Sequence, residues 1–399
     1  MASPSLLSLR LVLVLIGLLK VSGQHGLAST SCSRLPSACS CGFKVINCTN
    51  VPNLNMESID PLYFPHLISL HLSGNKFEYL DENTFHVPPD ASSWNLKQLD
   101  LSGNAISDIH EEAFVHMPSL EELKLSNNRI SFRRRPYSAG HRVWKTGHFL
   151  GPISPSLRIL ELNNAFDQQE RRESSQFLQN LTSLLFSDRF IDLQYLHLSQ
   201  NDLTSLPTNA FQYMPSLQYL YLSNNRLSTF QVDANSGKEL VELNLESNYM
   251  QALDENFMKM VDEKKTLKKV FLGNNPFLCD CQSKKFIQWV KASAKIQDKD
   301  SMYCSRALPR QFINRSLISL EEDQLRCSDK TAVYTAGVFA LCSVAAIGLI
   351  SLLSCIVYAN KAFLFRTGNS IRNWLTMANS GGYEILESGR PGVVKAEAV

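Results

Sequence analysis

Leucine recurs through the middle of the chain in a fixed order of hydrophobic and polar positions, L-x-x-L-x-L-x-x-N-x-L. An eighth copy of this pattern, from Leu157, keeps its leucines but has Ala165 where the asparagine belongs. A unit of this length cannot bury its apolar side chains alone, so the copies must stack into one continuous core. The seven complete copies begin at Leu67, Leu96, Leu120, Leu193, Leu217, Leu240 and Leu267.

This pattern is typical of leucine-rich repeats. It predicts an α/β leucine-rich repeat solenoid over residues 53–275, with a parallel sheet lining the concave face. Phe114 and Phe211, which lie between the copies, are expected to fill the outer side of the core. The asparagine side chain of each unit can bond backbone groups where the chain leaves the strand, and we interpret these residues as structural. They are Asn75, Asn104, Asn128, Asn201, Asn225, Asn248 and Asn275.

Side chains alternate along a strand, so the residues between the leucines are predicted to face outward from the concave sheet. The first three units place polar residues there, among them Ser69, Gln98 and Glu122. The next three place an apolar and aromatic group there, and tyrosine is typical of binding interfaces. A covering glycan, the neighbouring loop or ordinary drift between repeats is the alternative explanation. The group, a candidate partner-binding surface, consists of Ile159, Tyr195, His197, Tyr219 and Tyr221.

The repeat period breaks on both sides of the fourth unit, which indicates two insertions. Residues 132–156 are rich in basic side chains, and Arg133, Arg134 and Arg135 are candidates for binding a sulfated glycan or another anionic partner. A loop without a binding role is the alternative. Residues 166–190 form the second insertion.

The two ends of the chain indicate export and anchoring. Residues 1–23 resemble a signal peptide, with Arg10 before a short apolar core. Residues 332–359 carry no charge over a stretch longer than the roughly 20 residues that a membrane span requires. Basic residues follow this segment, which favours a cytoplasmic tail at 360–399 and an extracellular N-terminus. We therefore expect a single-pass type I protein of the plasma membrane, with a juxtamembrane segment at 328–331.

Eight cysteines fall into two groups that flank the repeats, in predicted caps at 24–52 and 276–327. An exported chain favours disulfides, and the spacing alone leaves three pairings open in each group. Zinc binding is a weaker alternative, because a C-x-C gap fits a tetrahedral ion poorly. The N-terminal group is Cys32, Cys39, Cys41 and Cys48, and the C-terminal group is Cys279, Cys281, Cys304 and Cys327.

Short motifs add candidate modification and sorting sites. Asn180 and Asn314 begin glycosylation acceptor triplets, as does Asn47, whose middle residue is a cysteine. In the tail, Tyr383 and Leu386 fit a Y-x-x-apolar endocytic pattern, and Val399 could bind a PDZ domain through its free carboxylate.

Composition excludes several classes of protein. The formal net charge of +2 does not indicate a polycation, and an exported chain is not expected to meet nucleic acid. The sequence contains none of the serine-hydrolase, zinc-protease or phosphate-loop motifs, so we expect neither an enzyme nor a bound cofactor or metal.

Taken together, these features resemble the trophoblast glycoprotein family. The specific signals are the interrupted fourth unit, the insertion SSQFLQNLTSLLFSDRFIDLQYL, NPFLCDC at the start of the second cap, and the tail IRNWLTMANSGGYEI. The resemblance covers nearly the whole chain. It implies the disulfide pairs Cys32 with Cys41, Cys39 with Cys48, Cys279 with Cys304, and Cys281 with Cys327.

The same resemblance implies a glycosylated protein that inhibits canonical Wnt/β-catenin signalling at the Wnt co-receptor. The family has a basic residue, tied to that inhibition, just before the last cysteine of the N-terminal cap, whereas this chain has Asn47. A cell-adhesion or heparan-sulfate-binding receptor without Wnt activity is the alternative function.

Overall fold

The structure is a computed structural model that divides into two compact units, Met1–Cys327 and Ser328–Val399. The predicted signal peptide lies outside the described residues. Those residues are 32–89, 93–133, 148–172, 174–186, 190–231, 237–321, 324–325, 330–359, 368 and 371–372.

A single ten-stranded sheet runs through the first unit. Its first two strands form an antiparallel hairpin, and every later strand pairs in parallel with its neighbour. Each strand after the hairpin comes from one copy of the leucine pattern, so the predicted leucine-rich repeat solenoid is confirmed. In sheet order, the strands are β1 (Ser40–Cys41), β2 (Val45–Asn47), β3 (Ser69–His71), β5 (Gln98–Asp100), β7 (Glu122–Lys124), β8 (Ile159–Glu161), β9 (Tyr195–His197), β10 (Tyr219–Tyr221), β11 (Glu242–Asn244) and β12 (Lys269–Phe271).

Shorter elements cover the rest of the first unit. Two small parallel sheets pair β4 (Tyr79–Leu80) with β6 (Asp108–Ile109), and β13 (Phe277–Cys279) with β14 (Cys304–Ala307). Among the described residues of this unit, the α-helices are α1 (Gln168–Arg172), α2 (Ser174–Phe186), α3 (Glu255–Glu263) and α4 (Lys284–Ala292).

The second unit contains α5 (Lys330–Ala359), which includes the predicted membrane span. Among the residues that the structure describes, none belongs to a helix both long and apolar enough to cross a membrane. The predicted transmembrane helix is therefore not confirmed.

The core consists of the leucines that the pattern places inside. The central residue of each repeat strand is buried, as in Leu123, Leu160 and Leu196, and these residues align in register across the sheet. Phe114 and Phe211 are also buried, as predicted. Ser69 is an exception to the predicted outward face, because it is only 4% exposed and its hydroxyl lies 3.0 Å from Nε2 of His71.

The asparagines form a ladder of buried amides. Asn104 is typical: its Nδ2 donates to the carbonyls of Leu72 and Leu101 at 3.0 and 2.9 Å, while its Oδ1 accepts the backbone N–H of Asn75 at 2.7 Å. Each amide thus bonds its own turn and the turn of a neighbouring unit. The structural role predicted for these residues agrees with this geometry, since buried backbone groups left without partners are costly.

Candidate partner-binding surface

The aromatic patch, defined as Ile159, Tyr195, His197, Tyr219 and Tyr221, lies on three adjacent strands, β8 to β10. The rings of Tyr195 and Tyr219 stack with centroids 4.3 Å apart and planes within 1° of parallel. The rings of His197 and Tyr221 stack at 4.4 Å. The structure therefore brings all five predicted residues onto one continuous surface.

Strand register explains this stacking. Tyr195 aligns with Tyr219, and His197 aligns with Tyr221, because parallel in-register strands place equivalent positions of successive units side by side. Neighbouring strands lie about 4.8 Å apart, which is close to the spacing at which aromatic rings stack. Ile159, on the adjacent strand β8, aligns with Tyr195 and so extends the row formed by Tyr195 and Tyr219. All five side chains are partly exposed, so a partner can contact them.

Charged side chains border the patch on both sides. On β7 and β8, the ammonium of Lys124 lies 2.9 Å from Glu122 and 3.2 Å from Glu161. Burial alone would lower the pKa of Lys124, but these two carboxylates outweigh it and raise that pKa above its ordinary value. On the opposite side, Glu242 pairs with Lys269 at 3.3 Å. A partner must therefore match an apolar centre with a polar, charged border.

Burial within the stack shifts the ionisation of the ring residues. It lowers the pKa of His197, an effect that nearby Glu161 opposes and Lys124 reinforces. It raises the pKa of Tyr221 to about 12, with a further contribution from a hydrogen bond to Glu242. His197 is thus held as the neutral imidazole near neutral pH, and the centre of the patch carries no charge.

The basic insertion begins at a buried carboxylate that the sequence did not reveal. Glu170, on α1, is only 6% exposed and accepts hydrogen bonds from the backbone N–H groups of Phe132 and Arg133, at 2.9 and 3.2 Å. It also accepts the hydroxyl of Ser131. The Nε of Arg133 lies 3.9 Å from this carboxylate, whereas Arg134 and Arg135 lie outside the described residues. In sequence, Glu170 resembles an ordinary exposed helix residue.

Apolar residues at the ends of the two predicted insertions, 132–156 and 166–190, belong to the hydrophobic core. Phe132 and Phe149 are buried at the two ends of the first insertion. Phe132 also contacts Phe166 and Phe177 of the second, with ring centroids 5.5 and 6.1 Å apart. The second insertion is mainly helical, with Leu181 buried on α2. The hydrophobic effect thus joins the bases of both insertions in one cluster.

Three disulfides close the caps: Cys32–Cys41, Cys39–Cys48 and Cys279–Cys304. These are pairs that the family resemblance implies. Cys281 is also disulfide-bonded, while Cys327, its expected partner, lies outside the described residues.

The candidate glycosylation sites occupy different settings. Asn314 and Asn47 are exposed, whereas Asn180 is half-buried on α2 and accepts a hydrogen bond from Gln176 at 3.3 Å. The tail residues Tyr383, Leu386 and Val399 lie outside the described residues.

With this geometry established, comparisons with known proteins identify the class. The leucine rich repeat family model matches residues 65–130, 155–227 and 191–250. The mouse RP105/MD-1 complex structure shares the fold, with a TM-score of 0.50 and 22% identity, over 71% of this chain and 41% of that one. The chain is a leucine-rich repeat protein.

Within that class, two relatives are more specific. Trophoblast glycoprotein of Macaca fascicularis is 28% identical over 344 residues, which cover 85% of this chain and 78% of the relative. The crystal structure of human 5T4 (Wnt-activated inhibitory factor 1, trophoblast glycoprotein) matches with a TM-score of 0.61 and 27% identity, over 73% of this chain and 98% of that one. The chain is a relative of the trophoblast glycoproteins, which confirms the resemblance drawn from its sequence. The fold and these relatives support a cell-surface leucine-rich repeat protein that acts through protein binding.

Proposed function

We propose that this chain is a single-pass membrane protein of the cell surface that inhibits canonical Wnt/β-catenin signalling by binding a component of the Wnt co-receptor through the aromatic patch. The observation that carries this proposal is the pair of ring stacks, Tyr195 with Tyr219 and His197 with Tyr221. The solenoid requires only the inward leucines, so nothing in the fold demands aromatic residues at these outward positions. Partly exposed tyrosines grouped on one face are typical of binding hot spots.

Further support comes from the relatives and from the sequence. Human 5T4, which shares the fold, also bears the name Wnt-activated inhibitory factor 1. The uncharged segment 332–359 supports a membrane anchor, as does the exposure of large apolar side chains on α5, such as Leu341 and Ile347. In this proposal the chain is a binding protein without catalytic activity.

The test is a Wnt-responsive reporter in cells that express the full chain. We expect the wild-type chain to lower reporter output, and the variant Y195A/Y219A/Y221A to restore it at equal surface expression. The matched control replaces three exposed tyrosines outside the main sheet, Tyr213, Tyr249 and Tyr303, with Ala. This control should inhibit like the wild type. Unchanged output with the wild-type chain would contradict the Wnt proposal, and full inhibition by the patch variant would contradict the surface assignment.

Asn47 offers a second, independent test of the same function. It is exposed on β2, aligned with His71 on β3, and its Oδ1 accepts the backbone N–H of Thr49 at 3.0 Å. Replacing it with Lys restores the basic residue that the family resemblance implies at this position. We expect N47K to inhibit the reporter more strongly than the wild type. Because N47K also removes an acceptor triplet, T49A serves as the control for loss of a glycan.

A further inference from the structure

Five lysines lie on three segments of the chain that approach neighbouring units of the sheet. They border the entry to strands β11 and β12, on the side where the chain approaches each strand. This lysine cluster consists of Lys238, Lys264, Lys265, Lys268 and Lys295.

Strand register brings these segments together. Glu242 aligns with Lys269, so Lys238 and Lys265, each four residues earlier, occupy equivalent positions in neighbouring units. A parallel bridge from Val270 to Ile296 adds the third segment, which contains Lys295. The cluster therefore crosses successive units of the array instead of following one stretch of sequence.

Contacts with backbone carbonyls hold three of these ammonium groups in place. Lys264 Nζ donates to the carbonyl of Gly237 at 2.7 Å, and Lys268 Nζ to that of Lys265 at 2.7 Å. Lys295 Nζ donates to the carbonyls of Val261 and Lys264, at 2.6 and 2.9 Å. Side chains already fixed in this way lose less conformational entropy when a ligand binds.

The two acids that precede Lys264 in sequence, Asp262 and Glu263, also contact residues outside the cluster, and Asp262 offsets part of the positive charge at Lys295. The carboxylate of Asp262 accepts the indole N–H of Trp289 at 3.0 Å, and Glu263 pairs with Lys259 at 3.7 Å. Burial lowers the pKa of both Lys264 and Lys295, and for Lys295 the charge of Lys268 lowers it further while Asp262 raises it. These ammonium groups are therefore poorly hydrated, and an anion would stabilise their charged form.

We propose that the lysine cluster binds an extended sulfated glycan chain of the heparan sulfate type. Fixed cations spaced across successive units match a linear polyanion with regularly repeated sulfates better than they match a single small anion. Lys269, close in sequence, is excluded because it pairs with Glu242 on the strand face. This site is separate from the aromatic patch and does not depend on the function proposed for it.

Binding of the purified full chain to immobilised heparin at physiological salt tests the proposal. We expect the charge-reversal variant K238E/K265E to bind at least about tenfold more weakly than the wild type, because two favourable ionic contacts become repulsive. Both side chains are exposed, so the thermal stability of the variant should not change. The matched control K44E/K76E, at exposed lysines near the N-terminal cap, should bind like the wild type.

Two further arms separate competing explanations. Desulfated heparin should bind the chain weakly, because the proposal attributes recognition to the sulfate groups and not to the carboxylate groups. The insertion variant R133E/R134E/R135E should retain heparin binding. If both this variant and K238E/K265E lost heparin binding, the lysine cluster would still be supported as one of two sites that contact heparin. No heparin binding by the wild type, normal binding by K238E/K265E, or an equal loss in the control would each overturn the proposal.

Discussion

The sixth and fourth repeat units both form hydrogen bonds to a neighbouring unit near the turn that follows the strand, but they use different side chains to do so. In the sixth, Asn225 is 3% exposed, donates to the carbonyls of Leu198 and Leu222, and accepts the N–H groups of Asn201 and Leu203. In the fourth, Ala165 occupies the equivalent place and offers only its backbone. There, Glu170 of α1 binds the neighbouring unit instead, through Ser131, Phe132 and Arg133.

The difference shows which parts of a repeat are constrained. The strands continue across the fourth unit without a change of register, since Leu123, Leu160 and Leu196 remain aligned. The hydrogen bonds between neighbouring units at the turn do not require the asparagine. A side chain that follows the turn, such as Glu170, can make hydrogen bonds to the neighbouring unit in its place. The inward leucines define the sheet, while the turn needs some buried polar group and not a particular residue.

The largest effect is expected when the side-chain amide of Asn225 is removed from the sixth unit. The variant N225A leaves two buried N–H groups, those of Asn201 and Leu203, without their side-chain acceptor, while the carbonyls of Leu198 and Leu222 still accept the amides of neighbouring asparagines. We expect the free energy of unfolding to fall by about 3 kcal/mol, measured by urea denaturation followed by circular dichroism.

N209A, at an exposed asparagine outside the ladder, provides the control and should stay within about 0.5 kcal/mol of the wild type. If N225A were no more destabilising than N209A, the ladder would not be a source of stability.

The corresponding change in the interrupted unit removes the carboxylate of Glu170. E170A should lower the free energy of unfolding by about 2 kcal/mol, because one hydroxyl and two backbone N–H groups lose a buried acceptor. Hydrogen exchange should accelerate at the amides of Phe132 and Arg133.

E170Q, which keeps an acceptor oxygen, is expected to lie between E170A and the wild type. The exposed residue Glu111 provides an alanine control. Unaltered exchange at both amides in E170A would show that another group supports the interrupted unit.

A smaller effect is expected at His197, where the interrupted and regular strands meet. Burial lowers the pKa of His197 in the folded chain, so the unfolded chain binds protons more readily as the pH falls. The stability that this residue contributes is complete above its unfolded pKa of about 6.5 and declines on acidification below it.

Between about pH 7 and about pH 5, the free energy of unfolding should therefore fall less steeply in H197F than in the wild type. H86Q, at an exposed histidine, should follow the wild type. Parallel pH profiles for H197F and the wild type would mean that His197 is hydrated like an ordinary surface residue.

The smallest effect is expected at Tyr221, which lies on a strand of a regular unit. Burial and Glu242 raise the pKa of Tyr221 to about 12. Its stabilising contribution is therefore present below the ordinary tyrosine pKa of about 10 and is lost as the pH rises towards the folded value. Spectrophotometric titration should show a late-ionising phenol that disappears in Y221F and ionises earlier in E242Q. E122Q, on the opposite side of the interruption, should leave this titration unchanged.

The leucine pattern alone predicts the repeat fold, the asparagine ladder and the composition of the aromatic patch, because inward and outward positions alternate strictly along a strand. Ser69 shows the limit of that rule. The pattern places Ser69 outward, yet it is buried beside His71. Burial near the end of a sheet depends on the cap as well as on the strand.

Other features depend on contacts between distant segments. Glu170 lies 39 residues from Ser131, and no local signal distinguishes it from an exposed acid. The lysines at 264–268 are visible in the sequence, but only strand register brings Lys238 and Lys295 beside them. Tyr195 and Tyr219 could be placed on one face from the pattern, whereas their parallel stacking required the register as well.

The tolerance of the sheet for unequal units has a practical consequence. Hydrogen bonds between successive units span 37 and 36 residues around the fourth unit, but 24 residues between the fifth and sixth. The same strand alignment thus accommodates about a dozen extra residues per unit. A fluorescent tag or an antibody epitope inserted away from the strands of the fourth unit would report on the protein at the cell surface and leave the spacing of Tyr195 and Tyr219 unaltered.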